Sequence, residues 1–271
     1  RPLSHRKNCK HLALPKTLDP APAATVEIKA DAEAVGTALC QKVAAAARKA
    51  VEERGGFSLA IPGGSILKML AEGQSELADI PWEKGVLAYV NHKCVPNDDA
   101  AATHQKAVDL FLKDWSGLPV ITMGGSNDGP AEAQRYEDEL KALPETTLPR
   151  DGDWPVFDIS LIGVGDDGHF GSLYPDRPEI ADESSRWILP VDMKSPPSIT
   201  LSPGVILASK EIVVASAGVS EKYPKGKAPA MRTAIEGDEG PRAFPAQILR
   251  GRATWLLDKA AASELSADYQ T

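Results

Sequence analysis

Short, mostly apolar runs recur along this chain, each closed by a glycine, proline or small polar turn and followed by a segment of helical period. Phe57 to Ile61, Val86 to Val90, Val156 to Gly163, Ile212 to Ala217 and Ala253 to Leu257 show little of the in-and-out alternation of a half-solvated strand. A strand apolar on both sides is buried on both sides, the condition of a parallel sheet covered by helices. The intervening segments supply those helices. Asp31 suits the N-cap of one whose apolar positions Val35, Leu39, Val43, Ala46, Ala47 and Ala50 share a face and which ends at Gly55-Gly56. Further helices are expected from Ser65, over Ala100 to Leu112, Pro130 to Leu143 and Glu221 to Glu236, and from Asp258. The expected fold is α/β, a doubly wound, mainly parallel sheet with helices on both faces, Rossmann-like in its layering. Residues 144–155, rich in proline, glycine and acid, read as a surface loop, so 25–271 is expected to form one domain.

Residues 1–24 stand apart. Arg1, Arg6, Lys7, Lys10 and Lys16 face only one acid, Asp19, and prolines interrupt them, so the segment reads as a basic extension. A solvated tail is the plain reading; a docking arm for a protein partner or the remnant of a transit peptide is the sharper one. The chain as a whole is nevertheless acidic: 30 Lys and Arg against 38 Asp and Glu give a net charge of −8. That balance opposes non-specific attraction to nucleic acid or anionic lipid, so an anionic ligand needs a local positive patch. No stretch approaches the roughly 20 apolar residues of a membrane span. Cys9, Cys40 and Cys94 are odd in number and form no C-x-x-C pair, which argues against disulfides and zinc and for a reducing compartment, cytoplasm or organelle stroma, over secretion. Cys94 beside Lys93 is read as a buried inert thiol, and His5, His11, His92 and His104 as exposed or tail residues.

In open α/β sheets, ligands bind beyond the carboxyl ends of the strands. The loops after Ile61, Val90, Gly163 and Ala217 are therefore expected to converge on one crevice. Pro62-Gly63-Gly64-Ser65 reads equally as a tight turn with Ser65 as N-cap or as a phosphate cradle at a helix N-terminus. The segment Gly163 to Pro175, GVGDDGHFGSLYP, is the richest in chemistry. Gly163, Gly165 and Gly168 match a G-x-G-x-x-G dinucleotide spacing, but Asp166 and Asp167 would face the pyrophosphate, so that reading is set aside. Asp166, Asp167 and His169 lack the further spaced ligands of a metal site, and no metal is expected. His169 beside a carboxylate at a strand end suits general-base work.

This ordered set of segments, from about Val26 to Ala262, resembles the 6-phosphogluconolactonase family. GVGDDGHFGSLYP is similar to its G-x-G-x-D-G-H-x-A-S-L-F-P segment, FSLAIPGGS to its strand and S-G-G-S-T-P loop, and FPAQILRGRATWLLDKAAA to its closing L-P-A…W-x-x-D-x-A-A signature. The resemblance implies hydrolysis of 6-phosphoglucono-1,5-lactone to 6-phosphogluconate with no cofactor. It implies His169 as general base on water and Asp167 as its orienting or polarising carboxylate. The phosphorylated sugar lactone would be held by Gly63, Gly64, Ser65, Gly165 and Gly168, with Lys93 and Lys222 as cations. The chain also departs from the family. Asn91-His92-Lys93 stands where the family has D-E-R, Thr103-His104 where it has S-N, and Ser198 where it has the Arg of R-I-T-L-T. Each change removes a polar or basic group from the expected crevice. An active lactonase is the favoured expectation; the alternative is a non-catalytic paralogue serving in a larger assembly.

Overall fold

The computed structural model describes residues 23–219 and 226–269; the basic extension, except Ala23 and Ala24, lies outside them. In chain order the elements are β1 (Thr25–Lys29), α1 (Ala32–Arg54), β2 (Phe57–Ile61), α2 (Ser65–Glu72), β3 (Gly85–Tyr89), β4 (Asn91–Lys93), α3 (Thr103–Ala107) and α4 (Gly129–Ala142). They continue with β5 (Arg150–Asp151), β6 (Trp154–Pro155), β7 (Ile159–Ile162), β8 (Ile188–Val191), β9 (Ser198–Leu201), α5 (Pro203–Ala208), β10 (Glu211–Ser216), α6 (Ala228–Glu236) and β11 (Ala253–Asp258), joined by short 3-10 turns.

Six strands form a parallel sheet in the order β1-β11-β10-β7-β2-β3. Their side chains divide by parity between two cores. Phe57, Leu59 and Ile61 of β2, with Val213 and Ala215 of β10, face α1 and α2. Ala60, Val86, Ala88, Ile212 and Val214 face α4, α5 and α6 on the other side. The sheet is apolar on both faces because both are covered. Asp31 caps α1 by accepting the Ala34 N–H at 2.9 Å, and Gly55 ends it in the left-handed conformation at φ +84°. At the amino end of β7 the buried Asp158 accepts the Ser58 N–H at 2.8 Å and pairs with Arg54 and Lys210, tying α1 and β2 to the sheet centre.

Several expectations are corrected. The segment from Asp258 does not form a helix. Asp258 ends β11, its side chain accepts the Ala261 N–H at 2.7 Å, and the residues beyond make successive i→i+3 turns. The segment Ala100 to Leu112 is α-helical only over Thr103–Ala107 and then widens into π-helical turns over Val108–Leu112, which bury Phe111 and leave Leu110 exposed. Of Glu221 to Glu236, the helix occupies Ala228–Glu236, and residues 221–225 lie outside the described region. Two features carry no strong sequence signal: β1, a half-polar edge strand, and a small antiparallel sheet in the order β4-β9-β8.

His92, expected on the surface, is fully buried. It sits on β4 between the small sheet and α3. Its Nδ1 donates to the Lys93 carbonyl at 2.7 Å while Nε2 accepts the His104 N–H at 3.1 Å, a pairing that only the neutral ring satisfies at both nitrogens. His104 in turn meets the Tyr89 hydroxyl at 2.9 Å through Nδ1. Desolvation lowers the His92 imidazole to about 4 from its ordinary value. The unfolded chain therefore takes up a proton near pH 6.5 that the folded chain refuses until about pH 4. Folding stability should fall by about 3 kcal/mol as pH drops through that window. Urea unfolding across it should show a shallower loss in His92→Gln than in the parent chain; equal slopes would remove His92 as the cause.

Candidate active site

Strand order sets the position of the crevice. From β2 the chain proceeds outward to β3, whereas from β7 it proceeds the other way to β10 and β11, so the carboxyl ends of β2 and β7 flank a reversal. Connections leaving adjacent strands in opposite directions open a gap there. A cavity of about 540 Å³ occupies it. Its walls come from the four loops expected to converge: Pro62 to Ser65, Asn91, Gly163 to Gly165 with His169 and Gly171, and Ala215 to Val219, closed by Lys227.

The first wall is the turn into α2. Gly64 is the N-cap, at φ +81° and ψ −147°, a conformation reserved in practice for glycine, and Ser65 is the first helical residue. Ser65 is therefore not the N-cap, and no side chain caps α2. The first backbone N–H groups of a helix have no intrahelical acceptor and carry its positive dipole end, so this mouth favours an anion. Gly63 lies against Thr103 of α3, where an added Cβ would be 3.2 Å from the hydroxyl oxygen.

The second wall is the loop after β7. The Gly165 N–H donates to the His169 carbonyl at 2.8 Å and the Gly168 N–H to the Gly165 carbonyl at 3.0 Å, folding Val164 to Phe170 into a tight hairpin with Asp166 and Asp167 at its tip. Asp167 Oδ1 accepts the His169 backbone N–H at 3.1 Å and meets the imidazole Nδ1 at 2.5 Å. Burial of the Asp167 carboxyl, which favours its protonated form, is outweighed by these bonds from His169, and the group titrates below the usual carboxylate range. The ionised carboxylate keeps the proton on Nδ1 and leaves the Nε2 lone pair available in the cavity. Tyr174 stacks on the ring at 4.8 Å between centroids, and Lys194 lies 4.8 Å over Tyr174.

Gly63, Gly64, Ser65, Gly165 and His169 thus meet in one cavity, with Asp167 behind the imidazole. Gly168 is a backbone pivot outside the walls, at φ +79°, whose carbonyl accepts the Ala246 N–H at 2.9 Å. Lys93 is exposed and outside the walls, opposite Ser198 in the β4–β9 register. Lys222 lies outside the described residues. Among the described residues the cation that enters is Lys227, which reaches Asp166 at 2.6 Å. Sequence reasoning missed it, although Gly226-Lys227 directly before the Ala-Pro start of α6 marks it as a loop-to-helix junction. Asn91 also enters, donating to the Ser172 hydroxyl at 3.1 Å. Cys94 is buried, which pushes its thiol up to about 12. Among the described residues no group of three His, Cys, Asp or Glu is arranged to hold a metal ion, and no helix is long and apolar enough to cross a membrane.

The closeness of Gly165 to the imidazole gives a test of this geometry. An added Cβ would lie 2.2 Å from the His169 ring, so Gly165→Ala should move the ring off Asp167 without unfolding the chain. The imidazole ¹⁵N resonances should report loss of the Nδ1 hydrogen bond while the thermal midpoint changes by a few degrees, the scale of about 1 kcal/mol in a chain this size. Unchanged resonances would contradict the contact.

Known proteins resemble this chain in sequence and fold. Residues 30–257 match the family described as glucosamine-6-phosphate isomerases/6-phosphogluconolactonase. The chain is 30% identical over 227 residues to 6-phosphogluconolactonase 3, chloroplastic, of Arabidopsis thaliana, covering 80% of this chain and 68% of that one. It is 30% identical over 223 residues to 6-phosphogluconolactonase of Synechocystis, covering 80% and 88%. The crystal structure of 6-phosphogluconolactonase from Leishmania guyanensis superposes with a TM-score of 0.72 at 25% identity, over 90% of this chain and 100% of that one.

Proposed function

The chain belongs to the family of glucosamine-6-phosphate isomerases and 6-phosphogluconolactonase, and from that membership we propose that it hydrolyses 6-phosphoglucono-1,5-lactone with His169 as general base. The observation that carries the reading is the Asp167–His169 pair, with Nδ1 bonded to the carboxylate, in a lactone-sized cavity beside an uncapped helix N-terminus. Nε2 takes a proton from water as the water oxygen bonds to the lactone carbonyl carbon. The tetrahedral intermediate then collapses, the bond from that carbon to the ring oxygen breaks, and the imidazolium returns its proton to the departing oxygen. The reaction needs no redox partner. Asp167 holds the imidazole in the required tautomer and stabilises its charged form.

The phosphate falls to the α2 N-terminus, where Gly63, Gly64 and Ser65 present backbone and hydroxyl donors, with Lys227 as the cation at the opposite wall. That distribution suits an acidic protein, because positive potential is concentrated where the ligand's charge lies. Of the expected phosphate cations, Lys93 lies outside the walls and Lys222 outside the described residues; among the described residues Lys227 is the cation this reading uses. A reducing compartment, cytoplasm or stroma, accords with the buried thiols Cys40 and Cys94.

A second reading has its own support. Lys93 is exposed, lies outside the cavity walls and pairs with Ser198 in the β4–β9 register, so the small sheet adds no cation to the walls, and Asn91 adds an amide where the related motif has a carboxylate. A site so depleted also fits a non-catalytic paralogue.

Hydrolysis of freshly generated 6-phosphogluconolactone, set against its spontaneous rate, separates the two. The lactonase reading expects acceleration that falls by roughly 10² to 10⁴ in His169→Ala, the scale of one positioned general base. Lys227→Met should raise KM by about tenfold or more with a smaller effect on kcat, as loss of a charge-assisted bond to a bound anion requires. Folded protein without acceleration would overturn the lactonase reading and leave the paralogue.

A further inference from the structure

Beyond the residues that face the cavity, one buried carboxylate at the end of β11 binds the cavity wall from behind. Asp258 is 4% exposed and lies outside the walls, so it has no access to substrate. Its Oδ1 accepts the Ala261 N–H at 2.7 Å and serves the turn that follows the strand. Its Oδ2 accepts the Gly218 N–H at 2.6 Å. Gly218 belongs to a different connection, the loop after β10, and stands in the wall between Ala217 and Val219 at φ +78°. A strand-ending carboxylate that only turned its own chain would need the first bond and not the second.

We infer that Asp258 is a positioning residue of the site, holding the Gly218 wall and through it Lys227, so that it sets substrate affinity without touching substrate. The contacts run in sequence. Gly218 and Gly226 abut, with an added Cβ at Gly226 only 3.0 Å from the Gly218 carbonyl oxygen. Lys227 follows Gly226, lines the cavity and bonds Asp166 at 2.6 Å, in the hairpin that carries Asp167 and His169. The carboxylate therefore anchors one base of the β10 loop to the sheet, and the cation at its other base keeps its place opposite the α2 N-terminus. Packed contacts of this kind transmit a displacement because close-packed interiors have little free volume to absorb it.

The kinetic arm of the test rests on the lactonase reading; the exchange arm does not. Asp258→Asn leaves one acceptor oxygen for the two N–H donors, and Asp258→Ala, which leaves none, is its check. On the full chain, KM for the lactone should rise roughly tenfold with kcat within about threefold, and that rise should shrink below about twofold in the Lys227→Met background, the non-additivity of residues acting through one another. A KM unchanged by Asp258→Asn, or a penalty that multiplies in full with that of Lys227→Met, would overturn the inference. Hydrogen exchange reads the same claim without turnover. The Gly218 amide of the parent chain should be protected, and exchange of 216–219 and 164–170 should both accelerate in Asp258→Asn. An unprotected Gly218 amide in the parent chain, or acceleration confined to 259–265 in both Asp258→Asn and Asp258→Ala, would overturn it, and the first of these needs no variant to fold. A parent chain that does not hydrolyse the lactone yet shows the expected exchange pattern would refute the lactonase reading and leave the positioning role supported.

Discussion

The reversal of strand order between β2 and β7 governs the rest of this molecule. Because both strands run parallel and are covered on both faces, their connections must leave from the same edge of the sheet and depart in opposite directions. The gap between those connections supplies the cavity, and its walls come from the loops that follow the strands, with Lys227 entering just ahead of α6. That is why glycines dominate the walls. The chain must turn within two or three residues of β2 and β7: Gly64 at φ +81° takes a backbone conformation that side-chain-bearing residues rarely adopt, and at Gly165 a side chain would collide with the imidazole.

Charge is distributed sparingly over this frame. The described walls bring in one full cation, Lys227, and its partner Asp166 extends from the same hairpin that bears Asp167 and His169. A helix N-terminus, by contrast, offers partial charge through fixed backbone groups that need no counter-ion and lose no side-chain entropy on binding. The division of labour proposed here follows: the backbone at α2 holds the anion, Lys227 sets its orientation, and the imidazole acts at the other end of the ligand. The replacement of a carboxylate by His92 belongs to the same account. Buried between β4 and α3 with both ring nitrogens bonded, His92 is a neutral strut, whereas an ionised group there would need a counter-charge inside the fold.

What could be read from the sequence follows from how local each signal is. Five of the six strands of the large sheet were legible because two-sided burial leaves continuous apolar runs, the half-polar edge strand β1 being the exception, and α1 was legible because Asp31 and Gly55 mark both of its ends. The hairpin with His169 was legible because its glycines and carboxylates are contiguous. The small sheet was not, since β4 is three residues long and its pairing with β9 joins residues a hundred positions apart. The same reason hid the buried place of His92 on that short strand. Lys227 was missed because the loop that presents it has no periodicity, and Asp258 was read as the start of a helix because a carboxylate before a run of alanines is a common cap signal. Here it caps a turn and reaches across to Gly218.

The central claim is that the phosphate end of the ligand lies on α2 and its reactive end at His169. A crystal structure of the chain with 6-phosphogluconate, the product of the proposed reaction, tests it most directly. The account predicts phosphate oxygens within hydrogen-bond distance of the Gly64 and Ser65 amides and of Lys227 Nζ, with the carboxylate formed from the lactone carbonyl beside His169 Nε2. Product bound in the reverse orientation, or with its phosphate on Lys93 outside the cavity, would contradict it.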